Sequence, residues 1–299
     1  MKRLVTGGTG LVGSAIYADV KVGRNYNLTD SNTCDAMFSK YQPTHVIHCA
    51  AKVGGLGGNM NYKGEYFHDN ILINTNVIES ARKHGVTNLV SFLSTCIFPD
   101  NIEYPLTEKK IHLGEPHFSN YPYAYAKRMA DIQIRAYREQ YGVKYTSVIP
   151  CNIYGPNDNF SLEHGHVIPM LMHKLYLAQQ RNEDFIVWGT GKPLREFIFS
   201  KDVAKLAEWA LHNYDESEPI IFSTSNEISI MDLVDLLVKE FEFKGKVIFD
   251  TTKPDGQFKK PSDNSKLKSY LPKFEFTSIE EGIRETVHWF KENYDTARK

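Results

Sequence analysis

No stretch of this sequence approaches the ~20 consecutive apolar residues of a membrane-spanning helix, so an integral helical membrane protein is not expected. Net charge is nearly absent too. The 35 Lys and Arg residues stand against 36 Asp and Glu, a formal charge of -1, and no overall field draws the chain to nucleic acid or an anionic membrane. Cysteine is sparse: Cys34, Cys49, Cys96 and Cys151 show no C-x-x-C pair and no Cys/His ligand spacing. That argues against a disulfide framework and a structural metal, and suits free thiols in a reducing cytoplasm. Internal repeats and low-complexity tracts are missing as well. The opening Met-Lys-Arg-Leu-Val-Thr runs straight into a glycine turn, so neither a signal peptide nor a transit segment is expected.

What is present is a 41% hydrophobic share, enough for a proper core, and a repeating strand–helix pattern. Residues 3–6 read as a buried strand, 7–13 as a turn and 14–20 as a short helix. Strands are then predicted at 45–50, 89–94 and 144–150, alternating with helices at 70–83 and 123–141. This alternation predicts an α/β protein with a Rossmann-type, doubly wound parallel sheet whose ligands gather at the carboxyl ends of the strands. Beyond Tyr154-Gly-Pro the alternation loosens, and a smaller C-terminal α/β substrate domain is expected. A strand at 195–199, a helix at 201–212 and a strand at 220–223 are expected to return to the main sheet. The resulting division assigns 1–155 plus about 195–224 to dinucleotide binding. It leaves about 156–194 plus 225–299, with its loop at 250–265, for the substrate.

Gly7, Gly10 and Gly13 form G-x-x-G-x-x-G between a predicted strand and helix, the context in which such a run cradles a pyrophosphate. After the second strand an acidic residue would hold a ribose 2′-hydroxyl and favour NAD. Here Val22-Gly23-Arg24-Asn25 offers a guanidinium instead, which suits the 2′-phosphate of NADP(H).

Tyr123 and Lys127 lie four residues apart, on one helical face, where the ammonium is expected to pull the phenol toward neutrality. At roughly 5 Å and an effective dielectric of about 20, the attraction is about 3 kcal/mol, or roughly two pKa units. Ser94-Thr-Cys96 stands upstream.

Together the glycine turn, Ser94, Tyr123 and Lys127 resemble the extended short-chain dehydrogenase/reductase family. Within it, Ala50-Ala-Lys-Val-Gly-Gly, Ser94-Thr-Cys-Ile-Phe-Pro, Pro150-Cys-Asn-Ile-Tyr-Gly-Pro, Gly165-His-Val-Ile-Pro and Val187-Trp-Gly-Thr-Gly are similar to the branch that rebuilds and reduces GDP-linked keto sugars. Arg195-Glu-Phe and Phe249-Asp-Thr-Thr-Lys-Pro-Asp-Gly extend the likeness over nearly the whole chain.

The resemblance implies GDP-4-keto-6-deoxy-D-mannose as substrate, epimerised at carbons 3 and 5, then reduced at the 4-ketone with NADPH to GDP-L-fucose. It implies Cys96 as base, His166 as acid, Ser94 as carbonyl donor, Tyr123 as proton donor and Lys127 as ribose ligand and tuner of the phenol. An unperturbed thiol is only a few per cent thiolate at neutral pH, so Cys96 requires a local lowering of its pKa. Cofactor contacts fall to Gly7, Gly10, Leu11, Val12, Gly13, Arg24, Ala50, Ala51, Leu93, Ser94, Tyr123, Lys127, Pro150, Asn152, Ile153 and His166. Substrate contacts fall to Asn152, Lys174, Trp188, Arg195, Asp255 and Lys260. The helices near Asn70 and Tyr123 resemble a dimer-forming pair, so a homodimer is expected. Two alternatives stay open: a nucleotide-sugar 4-epimerase that retains NAD, and a non-catalytic dinucleotide-sensing module.

Overall fold

The computed structural model describes residues 1–253, 255 and 257–299; Pro254 and Gly256 of the motif that begins at Phe249 lie outside the described residues. The first half contains β1 (Arg3–Thr6), β2 (Val20–Val22), α1 (Ser31–Tyr41), β3 (His45–His48), α2 (Leu56–Asn61), α3 (Lys63–Lys83), β4 (Asn88–Phe92), α4 (Tyr121–Tyr141) and β5 (Lys144–Pro150). There follow β6 (Asn152–Tyr154), α5 (Val167–Arg181), β7 (Phe185–Trp188), β8 (Leu194–Phe199), α6 (Ser200–Asn213) and β9 (Ile220–Phe222). The last are β10 (Glu227–Ser229), α7 (Ile230–Phe241), β11 (Val247–Asp250), α8 (Ser265–Tyr270) and α9 (Ile279–Glu292).

Six strands form one parallel sheet in the order β2-β1-β3-β4-β5-β9. The strand order reverses between β1 and β3, and a crevice opens beyond their carboxyl ends. Alternation along the strands feeds two cores: Leu4, Val46, Leu89 and Tyr145 pack on one face, and Val5, Ile47, Val90 and Val148 on the other. Phe38, Val77, Ile78 and Ile134 of α1, α3 and α4 close the first core, while Val203, Ala207 and Leu211 of α6 close the second. The architecture is the expected Rossmann-type α/β fold. A third cluster, with Leu171, Leu175, Leu237, Ile283 and Phe290, joins α5, α7 and α9 around β7 and β8.

Three local expectations are corrected. The helix at 14–20 does not form. Only residues 7–19 separate β1 from β2, about the minimum for a parallel crossover, so the path is made of tight turns. Within it Gly10 N donates to Gly7 O at 2.9 Å and Ser14 N to Gly10 O at 2.9 Å. Second, β8 stays out of the six-stranded sheet, pairing instead with β6 and β10 in a separate three-stranded sheet. The polypeptide returns to the main sheet only with α6 and β9. Third, α1 stands where no helix was expected; Asp30 caps it by accepting from Thr33 N at 2.8 Å, and Cys34, Met37 and Phe38 are its buried side.

Candidate active site

A cleft of about 2150 Å³ lies beyond the carboxyl ends of the main strands, between that sheet and the third cluster. Every residue assigned above to catalysis, cofactor or substrate lines it, with the exception of Lys174. Lys174 reaches the ring of the lining residue Trp188 instead, its Nζ 4.5 Å from the ring centre. Trp188 itself is 60% exposed, and Lys253 Nζ also lies over its ring at 5.6 Å.

The glycine turn is built by close packing. Gly7 has φ +68°, and a Cβ there would stand 2.9 Å from Ala50 N; a Cβ on Gly13 would stand 2.3 Å from Gly7 O. Side chains are therefore shut out of the turn that borders the cleft, and a ligand backbone can come close. Beneath it runs a buried polar chain. Ala50 N donates to Thr6 Oγ1 at 3.3 Å, Thr6 Oγ1 pairs with His48 Nδ1 at 2.7 Å, and His48 Nε2 with Asn74 Oδ1 at 3.2 Å. Asn74 Nδ2 ends the chain by donating to Ala126 O at 3.4 Å, one residue before Lys127. Burial, with a push from Lys127, lowers His48 to about 3, so its imidazole is neutral and serves as one donor and one acceptor. This chain ties the cofactor turn to the helix that carries Tyr123 and Lys127.

Helix α4 has Pro122 in its first turn and ends at Gly142 in the left-handed conformation. Lys127 Nζ donates to Phe92 O at 2.8 Å, which fastens the helix to the end of β4 just before Leu93 and Ser94. The ammonium is 5.9 Å from the centre of the Tyr123 ring. The expected depression of the phenol does not occur. Burial raises Tyr123 well above its ordinary value, Cys96 and Tyr66 adding to the rise, and burial lowers Lys127 to about 8. Loss of water penalises both charges more than their proximity stabilises them.

Ser94 caps the short turn Thr95–Ile97 and accepts from Cys96 N at 3.4 Å, and its hydroxyl lies close enough to the Cys96 sulfur to favour the thiolate. Cys96 stands half-buried in that turn. Burial raises its thiol, against the opposing pull of Ser94, Lys260 and Lys127. The groups that favour the thiolate are thus identified, yet burial outweighs them. Arg128 steadies the same turn, with Nε donating to Ile97 O at 2.7 Å and a terminal nitrogen to Gly114 O at 2.7 Å.

His166 is the N-cap residue of α5 and lines the cleft. Its ring is accessible, yet the enclosing walls and Arg298 both lower its pKa. Asn152 of β6 donates to Glu196 O of β8 at 2.8 Å. Burial lowers both Arg195 and Lys260, and the Arg195 charge lowers Lys260 a little further, so this wall gathers cations poorly hydrated and suited to an anion. Asp255 spends both carboxylate oxygens on Thr190, accepting from its N at 2.8 Å and its Oγ1 at 2.7 Å, which fixes the Gly189 turn beside Trp188.

Sequence reasoning missed Asp158 and Arg298, both of which line the cleft. Asp158 is buried at the cleft wall, its carboxyl pushed up to about 7 by burial and its Oδ2 without a hydrogen-bond partner among the described residues. The run Pro156-Asn-Asp-Asn-Phe160 follows a recognised motif, and its polar residues were the available signal.

The sequence model of the NAD dependent epimerase/dehydratase family matches residues 3–223, and the chain belongs to that family. Its likeness to particular members runs end to end. It is 53% identical to the GDP-L-fucose synthase of Dictyostelium discoideum, over 99% of this chain and 97% of that one. It is 46% identical to the probable GDP-L-fucose synthase of Drosophila melanogaster, over 100% and 99% of the two chains. Among solved structures, a GDP-L-fucose synthetase from Naegleria fowleri bound to NADP superposes with a TM-score of 0.94. The two share 48% identity and are covered to 99% and 94%.

Proposed function

We propose that this chain is an NADPH-dependent epimerase–reductase that converts GDP-4-keto-6-deoxy-D-mannose to GDP-L-fucose. The observation that carries this reading is the meeting, in one cleft, of a reductase set, Ser94, Tyr123 and Lys127, with an acid–base pair, Cys96 and His166, in a chain so similar to named GDP-L-fucose synthases.

The closed glycine turn, Arg24 and Lys127 fit a phosphorylated dinucleotide. When bound, NADPH supplies the hydride for carbon 4. The chain's residues do the rest. A ketone at carbon 4 acidifies the protons on carbons 3 and 5. Cys96 takes each proton as thiolate, a minor but strongly basic form given its raised pKa. His166 returns a proton from the other side, and its lowered pKa makes the imidazolium a readier donor. Ser94 donates its O–H to the 4-oxygen while negative charge resides there. Tyr123 then protonates that oxygen. Arg195 and Lys260 meet the diphosphate, and Trp188 offers its face to the base. Residues 1–155 with about 200–224 hold the dinucleotide, and about 156–194 with 225–299 hold the sugar nucleotide, joined by β8, which the separate sheet draws to that side. Four unpaired cysteines suit the reducing cytoplasm.

Incubation of the protein with GDP-4-keto-6-deoxy-D-mannose and NADPH in deuterated water tests the reading. Stoichiometric NADPH oxidation with deuterium at carbons 3 and 5 is expected. Tightly held NAD, with no net NADPH consumption, would replace this reading with a recycling 4-epimerase.

The chain acts as a homodimer through α3 and α4. Phe67 on α3 and Tyr121, Met129 and Ile132 on α4 are exposed apolar side chains, and those on α4 fall at helical spacing along one outward stripe. A symmetric contact would bury each stripe against its copy. Light scattering at working concentration is expected to give twice the chain mass of 34.2 kDa, and a monomer would contradict the assignment.

A further inference from the structure

Two arginines far apart in the sequence line the same cleft, close enough for Arg24 to act on Arg298. Arg24 follows β2, where dinucleotide folds meet the adenosine ribose. Arg298 arrives from the other side, on the segment after α9. That segment is firmly seated: Ala297 is buried in the third cluster, Arg298 O accepts from Phe160 N at 2.7 Å, and Asn293, Thr296 and Ala297 also line the cleft. Its neighbour Lys299 is otherwise engaged, donating to Tyr294 O at 2.6 Å and lying 3.7 Å over the Tyr294 ring.

Neither Arg24 nor Arg298 has a carboxylate within 4 Å among the described residues. The nearest candidate for Arg298 is Asp158, and that buried carboxyl, pushed up to about 7, is only partly ionised at neutral pH. Burial weighs most on the Arg298 guanidinium, and the like charge of Arg24 adds to it. Like charges brought together from opposite walls, without a protein counter-ion, are an unfavourable arrangement that a bound dianion reverses.

We infer that Arg298 is a second ligand, opposite Arg24, for the 2′-phosphate of the dinucleotide, so that selection of NADPH over NADH depends on a residue beyond the dinucleotide-binding half of the chain. This inference rests on the NADPH reading of the cleft. It makes the seated segment after α9 a specificity element, held in place by its backbone and carrying one fork-shaped donor toward the phosphate.

Calorimetric titration with two fragments separates the possibilities: adenosine 2′,5′-bisphosphate, which carries the phosphate in question, and AMP, which lacks it. The unsubstituted protein is expected to prefer the bisphosphate. R298Q should weaken bisphosphate binding at least tenfold and leave AMP within twofold, since the substitution spares the backbone bond to Phe160. R24Q should act in the same direction. R298K, which keeps the charge but loses the fork, should fall between and serves as the reading should R298Q fail to fold. Equal losses for both fragments, or an unchanged bisphosphate affinity in R298Q or R298K, would overturn the inference. If the preference survives R298Q but not R24Q, the NADPH reading stands and only the role of Arg298 falls. If the unsubstituted protein shows no preference at all, the NADPH reading fails first and takes the inference with it.

Discussion

Replacing Tyr123 by Phe is expected to lower NADPH oxidation by roughly 10²–10⁴-fold while deuterium still enters carbons 3 and 5 of the sugar. The substitution removes one oxygen, and no hydrogen bond to that oxygen exists among the described residues, so no partner is orphaned. Lys127 keeps its bond to Phe92 O, and the ring keeps its place beneath the ammonium. What is lost is the proton delivered to the 4-oxygen as carbon 4 is reduced. Burial raises the phenol well above its ordinary value, which makes it a weaker acid but keeps its proton in place until the far more basic alkoxide forms at carbon 4. Single-turnover NADPH oxidation, followed beside mass-spectrometric label uptake, reads both steps in one sample. Parallel loss of exchange and reduction would show that Tyr123 serves the ketone from the start, and the separation of roles would fall.

The complementary substitution, Cys96→Ser, is expected to cut deuterium uptake at carbons 3 and 5 by roughly 10²–10⁴-fold. A hydroxyl has nearly the volume of the thiol but ionises far less readily, so the turn and its Ser94 cap are preserved while the base is removed. The thiol depends on neighbours as well as on identity. Lys260, Lys127 and Ser94 favour its ionised form against the opposing effect of burial. Normal label uptake by Cys96→Ser would dismiss the thiol as the base. Read together, the two variants should divide the reaction at the point where the stereocentres are finished and the ketone remains.

The sheet was legible because its signal is local. Apolar strands bounded by turns, and a helix carrying Tyr123 and Lys127, reveal themselves in short windows. The first crossover was misread because turn and helix share the same glycine-rich opening, and only the distance to β2 decides between them. Helix α1 did carry readable signs in Asp30 as a cap and in Cys34, Met37 and Phe38 at helical spacing, but its polar composition hid them. Strand β8 was placed in the wrong sheet because an apolar strand does not state its partner.

In the site, residues inside motifs were identifiable by resemblance, and all but Lys174 reach the cleft. Electrostatics was less legible. The spacing of Tyr123 and Lys127 predicts attraction, but it carries no measure of the burial that raises one group and lowers the other. Asp158 and Arg298 were missed for a different reason: they meet through folding across 140 residues and belong to no periodic pattern.

The third hydrophobic cluster takes α5, α7 and α9 from three separate stretches, and between them the chain returns to the main sheet as α6 and β9 and again through Leu267. The two halves of the cleft are therefore stitched by repeated crossings rather than joined at one seam. Such a weave does not lend itself to recombination, because no single exchanged segment carries one wall intact. New sugar specificities on this framework must arise by replacing side chains in place, with the weave inherited whole.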